Sequence, residues 1–121
     1  MEFKRHNFKK LKIWILGMEI SKVIFDLTES FPSHEKYSLK IQMERASISI
    51  PSNIAEGSSR TDKSFSHFLD ISLGSSFELQ TQILLANYKK YISNESVAFL
   101  ELKIEEFQRA TMSFQNTLNK Q

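Results

Sequence analysis

Few side chains in this sequence have the type and spacing of a catalytic or metal-binding site. The chain has three histidines, and His67 lies three residues before Asp70, so these two would share a helix face. A di-iron site in a helical bundle needs Glu-x-x-His pairs on facing helices, and the sequence contains none. The segment GSSR at 57–60 lacks the glycine–lysine spacing of a phosphate-binding loop. These patterns predict a protein that is not an enzyme and that binds no metal and no cofactor.

Length and composition limit the class of protein further. The chain has 121 residues, which favours one domain, and it has no cysteine for disulfides or thiolate metal sites. Lys and Arg number 16 and Asp and Glu 14, so the net charge of +2 is too small by itself to indicate a nucleic-acid partner. No apolar run approaches the roughly 20 residues that a membrane span needs. We therefore expect a cytoplasmic protein that does not enter a membrane.

Helical periodicity recurs in four segments, and no segment alternates with period two. The clearest apolar line, spaced alternately by three and four residues, is interrupted only by Thr111; it consists of Val97, Leu100, Ile104, Phe107, Thr111, Phe114 and Leu118. This period of 3.5 is typical of helical bundles. The sequence predicts an all-α, antiparallel up-down-up-down four-helix bundle in a single domain, 1–121, with helices at about 8–29, 34–58, 62–91 and 95–119.

The first predicted helix is apolar over an unusually wide arc. Besides the line that begins at Ile13 and Leu16, a second line contains Leu11, Ile15, Met18 and Phe25, with Trp14 between the two. A helix with so wide an apolar arc is usually buried on more than one side, which favours contact with another subunit. The alternative is a wide core face with some exposed apolar side chains, which is common in soluble proteins.

The segment SISIPSNIAEGSSR, at 47–60, places Pro51 inside the second predicted helix. The apolar positions keep their helical phase across Pro51, which favours one helix with a kink there. Proline would leave the Ser47 carbonyl without its helical partner. The alternative interpretation starts a new helix with Pro51 in its first turn. Short side chains around Ser72 in helix three predict close backbone contact with helix two, with serine hydroxyls bonding the freed carbonyls.

Two passages, QMERASISIPSNIAEGSSR (42–60) and FLDISLGSSFELQTQI (68–83), resemble the four-helix-bundle family of proteins encoded in 23S rRNA intervening sequences. The turn FPSHEKYSL (31–39) and the opening Leu11 and Trp14 also match this family. The matching motif residues include Arg45, Pro51, Asn53, Glu56, Gly57, Arg60, Gly74, Ser75 and Glu78. Ser72 departs from the family pattern, which usually has alanine, and Leu73 stands where a basic or polar residue is common.

The resemblance implies a left-handed bundle that assembles into a homo-oligomeric ring, with a pentamer as the expected size. It implies no catalytic activity, and RNA binding is the role usually suspected for the family. A more distant similarity connects the chain to small bundle proteins that act as accessory factors to reverse transcriptases in diversity-generating retroelements.

Arg45 and Glu78 form a possible contact between helices two and three. A hairpin that turns near Arg60 brings Arg45 within about one helical turn of Glu78. One hypothesis is a partly buried, hydrogen-bonded ion pair that fixes the register of the two helices, with Asn53 and Glu56 bonding exposed backbone or a neighbouring subunit. The alternative is that all four side chains are solvated.

The predicted topology collects positive charge at one end of the bundle, which we call the basic rim. It comprises Lys4, Arg5, Lys9, Lys10, Lys12, Arg60, Lys63 and Lys120, and all but Lys120 are predicted to contact nucleic acid. The start of helix four, at the other end, is acidic, with Glu95, Glu101, Glu105 and Glu106. In a ring, the phosphate contacts of several rims would add. The alternative is a basic N-terminal tail that only aids solubility.

These observations favour a homo-oligomeric binder of structured RNA. The alternative function is a protein-interaction scaffold or an accessory factor for a polymerase or a ribosome-associated partner. The two differ in one respect: RNA binding would need Lys9, Lys10, Lys12 and Arg60, whereas a scaffold would tolerate their loss.

Overall fold

The four periodic segments form four α-helices in the computed structural model, which describes residues 6–120. The helices are α1 (Lys12–Thr28), α2 (Leu39–Gly57), α3 (Asp62–Tyr88) and α4 (Asn94–Asn119). Short 3₁₀ turns at Phe8–Lys10 and Ser33–Glu35 precede α1 and α2, and residues 6–120 contain no strand. Lys4 and Arg5 of the predicted basic rim lie outside the described residues.

Each helix packs against two neighbours in a bundle, and the backbones of the diagonal pairs lie farther apart. α1 contacts α2 and α4, and α3 contacts α2 and α4. The core between them consists of large, fully buried side chains, including Ile24, Ile50, Phe65, Leu79, Ile83, Leu100 and Phe107. The predicted all-α four-helix bundle is therefore confirmed. Thr111, which interrupts the apolar line of α4, is also fully buried, and its hydroxyl has no hydrogen-bond partner within residues 6–120.

Two helices begin at side chains that cap their first turn, Thr61 for α3 and Ser93 for α4. The Thr61 Oγ1 accepts a hydrogen bond from the Ser64 N–H at 3.3 Å, and the Ser93 Oγ accepts one from the Ser96 N–H at 3.1 Å. Such caps satisfy backbone donors that have no partner in the first helical turn. They hold the starts of α3 and α4 within one residue of the predicted positions.

The start of α2 differs from the prediction. The predicted helix begins at residue 34, but Ser33–Glu35 forms only a 3₁₀ turn and α2 begins at Leu39. The Ser38 backbone (φ −126°, ψ −110°) is not helical and separates the two. Glu35 bridges this break, because its carboxylate accepts the Leu39 N–H at 3.4 Å and the Tyr91 hydroxyl at 2.9 Å. A tertiary contact from the α3–α4 connection thus stabilises the local break.

Helix α2 continues without interruption through Pro51, so the interpretation as one helix is correct. Proline has no N–H to donate to the Ser47 carbonyl, and the Ser21 hydroxyl of α1 donates to that carbonyl at 2.7 Å instead. Ser21 and Ser47 are both buried, so without this replacement bond the Ser47 carbonyl would lack a partner away from water, which destabilises a fold. From the other side, the Ser72 hydroxyl of α3 donates to the Ile50 carbonyl at 2.8 Å. The kink at Pro51 stays a prediction.

Close approach of α1 and α2 depends on Gly17. A Cβ atom at this position would lie 3.1 Å from the Ile50 Cγ2 and 3.4 Å from the Pro51 Cβ. The sequence predicts close backbone contact between α2 and α3 only, whereas α2 also approaches α1 closely. On the outer side of α1, Ile15 and Phe25 are exposed. Of the second apolar line, Ile15 and Phe25 therefore lie outside the core, whereas Leu11 packs against it, and contact with another subunit stays a prediction.

A half-buried carboxylate, that of Glu44, joins α1 to α2. The Glu44 Oε2 accepts hydrogen bonds from the Thr28 hydroxyl at 2.7 Å and from the Lys40 ammonium at 2.8 Å. Burial raises the pKa of Glu44, but the hydrogen bonds from Lys40 and Thr28 lower it, and the net shift is downward. The spacing of Lys40 and Glu44 is a recognisable helix pair, whereas the contact with Thr28 depends on tertiary packing.

The lowered pKa of Glu44 predicts a loss of stability in acid. A carboxylate whose pKa is lower in the folded than in the unfolded protein stabilises the fold above the unfolded value of 4.5. This contribution is lost as the pH falls through the folded pKa. We expect the free energy of unfolding, measured with urea between about pH 6 and about pH 3, to fall more steeply for the natural protein than for Glu44→Gln. If the free energy of unfolding falls equally steeply with pH in the two proteins, the lowered pKa of Glu44 is contradicted.

Candidate nucleic-acid interface

Three parts of the chain meet at the end of the bundle where the basic rim is predicted. The His6 N–H donates to the Ser58 carbonyl at 3.2 Å, which ties the N-terminal segment to the α2–α3 turn. The His6 ring packs against Phe65 of α3, with ring centroids 5.2 Å apart, and against Phe114 of α4, 5.7 Å apart. Phe65 and Phe114 also contact each other. This aromatic cluster fixes the N-terminal segment, the α2–α3 turn and the end of α4 side by side.

Lys9 and Lys10 lie in the 3₁₀ turn before α1, and Lys63 lies in the first turn of α3. All three side chains are exposed, and none pairs with a carboxylate of residues 6–120. The 3₁₀ turn is closed by a hydrogen bond from the Leu11 N–H to the Phe8 carbonyl at 3.0 Å. These lysines are therefore held at the surface by ordered backbone and present cationic groups to the solvent.

Lys12 and Arg60 have acidic partners. The Lys12 Nζ lies 3.5 Å from the Glu106 Oε2, and the Arg60 Nη2 lies 3.4 Å from the Glu56 Oε2. The position of Glu106 corrects its predicted place at the acidic end, because it lies against the start of α1. Both pairs are solvent-exposed, and such pairs contribute about 0–1 kcal/mol. An anion could therefore displace these partners at little energetic cost.

Aromatic rings lie beside these cations, which the charge pattern alone does not predict. The Phe8 and Trp14 rings pack at 68°, with centroids 5.4 Å apart. The Arg60 guanidinium lies over the Phe68 ring, 5.2 Å from its centroid. The sequence signal is the alternation of aromatic and basic residues in FKKLKIW, at 8–14. The end of the bundle thus presents aromatic and cationic groups together.

The opposite end contains a polar cluster between two connections. The Tyr91 hydroxyl donates to Glu35, and the His34 Nε2 lies 3.2 Å from the same hydroxyl. The hydrogen bond from Tyr91 is the main cause that lowers the pKa of Glu35, while burial and this contact raise the pKa of Tyr91. Glu95 is exposed in the first turn of α4, at this end, and Glu101 accepts a hydrogen bond from Gln80 at 3.3 Å. Glu105 is exposed in the middle of α4, next to Glu106, and so does not belong to this end. Exposed lysines, including Lys36 and Lys89, also lie at this end, so its charge is mixed.

The predicted ion pair between Arg45 and Glu78 does not form within residues 6–120. Both side chains are exposed along a groove between α2 and α3, and Glu78 instead lies 3.5 Å from the Gln82 Nε2. Uncharged groups join the helices here, because the Ser75 hydroxyl donates to the Ser49 hydroxyl at 2.8 Å. Exposed charges are well solvated, which removes the energetic advantage of a fixed pair.

The other motif residues divide into packing and surface positions. The Asn53 amide donates to the Ser49 carbonyl at 2.8 Å, so Asn53 bonds backbone of its own helix. Gly57 is buried where α2 meets α3, and Gly74 is exposed with nothing near its Cβ position. Among residues 6–120, no group of three or more His, Asp or Glu side chains could hold a metal ion. Over the same range, no helix is both long and apolar enough to cross a membrane.

A family model for the 23S rRNA-intervening sequence protein matches residues 9–113, from the first 3₁₀ turn to the last third of α4. The chain belongs to this family. The match includes Lys9, Lys10, Lys12, Arg60 and Lys63 of the basic rim. The resemblance inferred from the motifs is therefore confirmed.

A crystal structure from Bacteroides thetaiotaomicron, described as a protein of unknown function from the S23 ribosomal protein family, has a similar fold. The TM-score is 0.78, and the alignment covers 86% of this chain and 95% of that chain. At 21% sequence identity, this similarity shows the fold alone. A comparison with curated proteins gave no match.

Proposed function

We propose that this member of the 23S rRNA-intervening sequence family is a cytoplasmic, non-enzymatic, homo-oligomeric protein that binds structured RNA through its basic rim. The main support for the proposal is the contact between the N-terminal segment and the α2–α3 turn at one end of the bundle. This junction brings together the exposed side chains of Lys9, Lys10, Arg60 and Lys63, beside the acidic Glu56 and Asp62.

Cations in such an arrangement recognise the phosphate backbone. Each lysine or arginine that neutralises a phosphate releases condensed counterions, which makes binding favourable at low salt and weak at high salt. A net charge of +2 gives one subunit as a whole little attraction to RNA. The attraction therefore has to come from the local cluster of cations at the basic rim. Several rims in one oligomer would add their contacts and raise the affinity further.

Support for a homo-oligomer comes from apolar side chains outside the core. Ile15 and Phe25 on α1 and Ile48 on α2 are more than 40% exposed. Exposed apolar surface of this kind marks interaction sites when it is contiguous. We propose a ring of five subunits, as the family resemblance implies. Light scattering coupled to size-exclusion chromatography should then give a mass of five times 14.1 kDa, whereas a mass of 14.1 kDa would contradict the proposal.

A second candidate function is a scaffold or accessory factor for a polymerase or a ribosome-associated protein. It is favoured by the exposed apolar side chains of α3 and α4, where Tyr88 is 79% and Leu102 is 71% exposed. Phe77 and Leu84 lie on the same face of α3 as Tyr88. Aromatic and aliphatic side chains of this kind are typical anchors at protein–protein interfaces.

The experiment that tests the RNA proposal is a titration of a labelled RNA hairpin with the protein, followed by fluorescence anisotropy at several salt concentrations. We expect log Kd to rise linearly with log salt, with a slope of about 0.7–0.9 for each phosphate contact. No binding at micromolar protein, with the oligomer shown to be intact, would remove RNA and leave the scaffold function. A scaffold would also keep its partner when Lys9, Lys10, Lys12 and Arg60 are replaced.

A further inference from the structure

The basic rim combines exposed cations with aromatic rings, and we infer that its RNA ligand is held through unpaired bases that stack on these rings. This inference rests on the proposed RNA binding and specifies the kind of RNA that is bound. The ligand class is RNA with single-stranded loops, bulges or ends, rather than a continuous duplex.

The first stacking element is the Phe8–Trp14 pair. Phe8 lies in a 3₁₀ turn that has no buried residue, and Trp14 is only partly buried against the core. The chain changes direction at Leu11, whose extended backbone (φ −76°, ψ 129°) leads into α1. This change brings the Phe8 and Trp14 rings into contact. Lys9 and Lys10 follow Phe8 directly, so cationic groups border the aromatic pair.

The second stacking element is the Arg60 guanidinium over the Phe68 ring. Arg60 is exposed and Phe68 is half-buried, so the guanidinium over this ring is accessible to solvent. Guanidinium planes stack on bases as well as on aromatic rings. The hydrogen bond between His6 and Ser58 ties the N-terminal segment to the turn that precedes Arg60. Both stacking elements therefore belong to one end of the bundle.

Duplex RNA cannot use these rings. Its bases are stacked inside an A-form helix, so proteins contact mostly its phosphates and 2′-hydroxyl groups. A surface that binds only phosphates needs exposed cations and gains nothing from partly exposed aromatic rings beside them. Proteins that bind unpaired bases combine a cationic track with aromatic side chains, and each stacked base contributes about 1–3 kcal/mol. The position of Phe8 directly before Lys9 and Lys10 matches the combination of aromatic side chains and cations that binds unpaired bases.

The chain offers a direct probe, because Trp14 is its only tryptophan. Three ligands with equal numbers of phosphates would be titrated: a hairpin with a large unpaired loop, a fully paired duplex, and an oligonucleotide without bases. Trp14 fluorescence would report stacking, and anisotropy of the labelled ligand would report binding. We expect the hairpin to bind most tightly and to be the one ligand that quenches Trp14.

A variant separates stacking from charge. Phe8→Leu keeps an apolar side chain against Trp14 but removes the ring, and it should weaken hairpin binding by roughly 5- to 150-fold while leaving duplex binding unchanged. Phe99→Leu is the matched control, since Phe99 is an exposed phenylalanine near the start of α4, at the other end of the bundle, and it should change neither affinity. Circular dichroism would establish that both variants fold.

The outcomes distinguish this inference from the proposal on which it rests. Equal binding of hairpin and duplex without quenching would overturn stacking and leave phosphate binding by the rim in place. Binding of no RNA at all would overturn both the stacking and the proposed RNA binding. Quenching that persists with the base-free oligonucleotide would also overturn stacking, because the signal would then come from a change in the protein.

Discussion

Replacing both Lys9 and Lys10 with glutamate is expected to weaken binding of structured RNA by roughly 100-fold at about 50 mM salt. Each lysine–phosphate contact releases about one counterion, so at this salt concentration it accounts for about one decade of affinity. The loss of two contacts therefore removes about two decades. The slope of log Kd against log salt should fall by about 2. Anisotropy of a labelled RNA hairpin, measured over a series of salt concentrations, gives both quantities.

The control for this variant reverses two lysines at the opposite end of the bundle. Lys36 and Lys89 are exposed, and they lie in the α1–α2 and α3–α4 connections, which contact each other through Phe31 and Tyr91. Lys36→Glu/Lys89→Glu changes the net charge by the same amount. If both double variants lose the same affinity, binding depends on net charge and the basic rim is not the RNA site.

Replacing Gly57 with alanine is expected to destabilise the protein by about 1–3 kcal/mol. The new Cβ would lie 2.7 Å from the Phe68 Cβ and 2.8 Å from the Phe65 Cδ1. Neither neighbour moves easily, because the Phe68 Cβ is anchored to the α3 backbone and the Phe65 ring is fully buried. The α2–α3 contact would have to open. Urea unfolding at a fixed protein concentration measures the loss in free energy of unfolding.

Gly74 provides a matched control, since it is also a helical glycine of the family motif. No atom lies within 4 Å of its Cβ position, so alanine meets no obstacle there. Gly74→Ala should stabilise the protein by roughly 0.5–1 kcal/mol, because alanine loses less conformational freedom in a helix than glycine does. Similar changes in stability for the two variants would show that the contact at Gly57 relaxes without cost.

The sequence predicted the helices well where the signals are local. The 3.5-residue period of α4 fixes which side chains face the core, and Leu100, Ile104 and Phe107 are fully buried as predicted. The Thr61 and Ser93 side chains cap α3 and α4 by accepting hydrogen bonds from backbone N–H groups three residues later. Such signals depend on neighbouring residues in the chain, so they can be recognised without knowledge of the fold.

The prediction failed where a distant residue decides the local structure. The delayed start of α2 depends on Tyr91, which binds Glu35 from 56 positions away in the chain. The predicted contact between Arg45 and Glu78 had nearly the right helical register, but both side chains are exposed to water. Register can be estimated from helix geometry, whereas burial depends on every element that packs nearby.

By itself, the sequence determined the fold class, the four helical segments and the gathering of lysines near one end of the bundle. These features follow from periodicity and the alternation of helix direction, both of which act along the chain. Only the tertiary structure decided which group replaces the missing hydrogen bond at Pro51 and which rings accompany the cations. Ser21 reaches the Ser47 carbonyl because α1 packs closely on α2, and Arg60 reaches Phe68 across the α2–α3 turn. Both contacts depend on distances between helices, which a one-dimensional pattern does not contain.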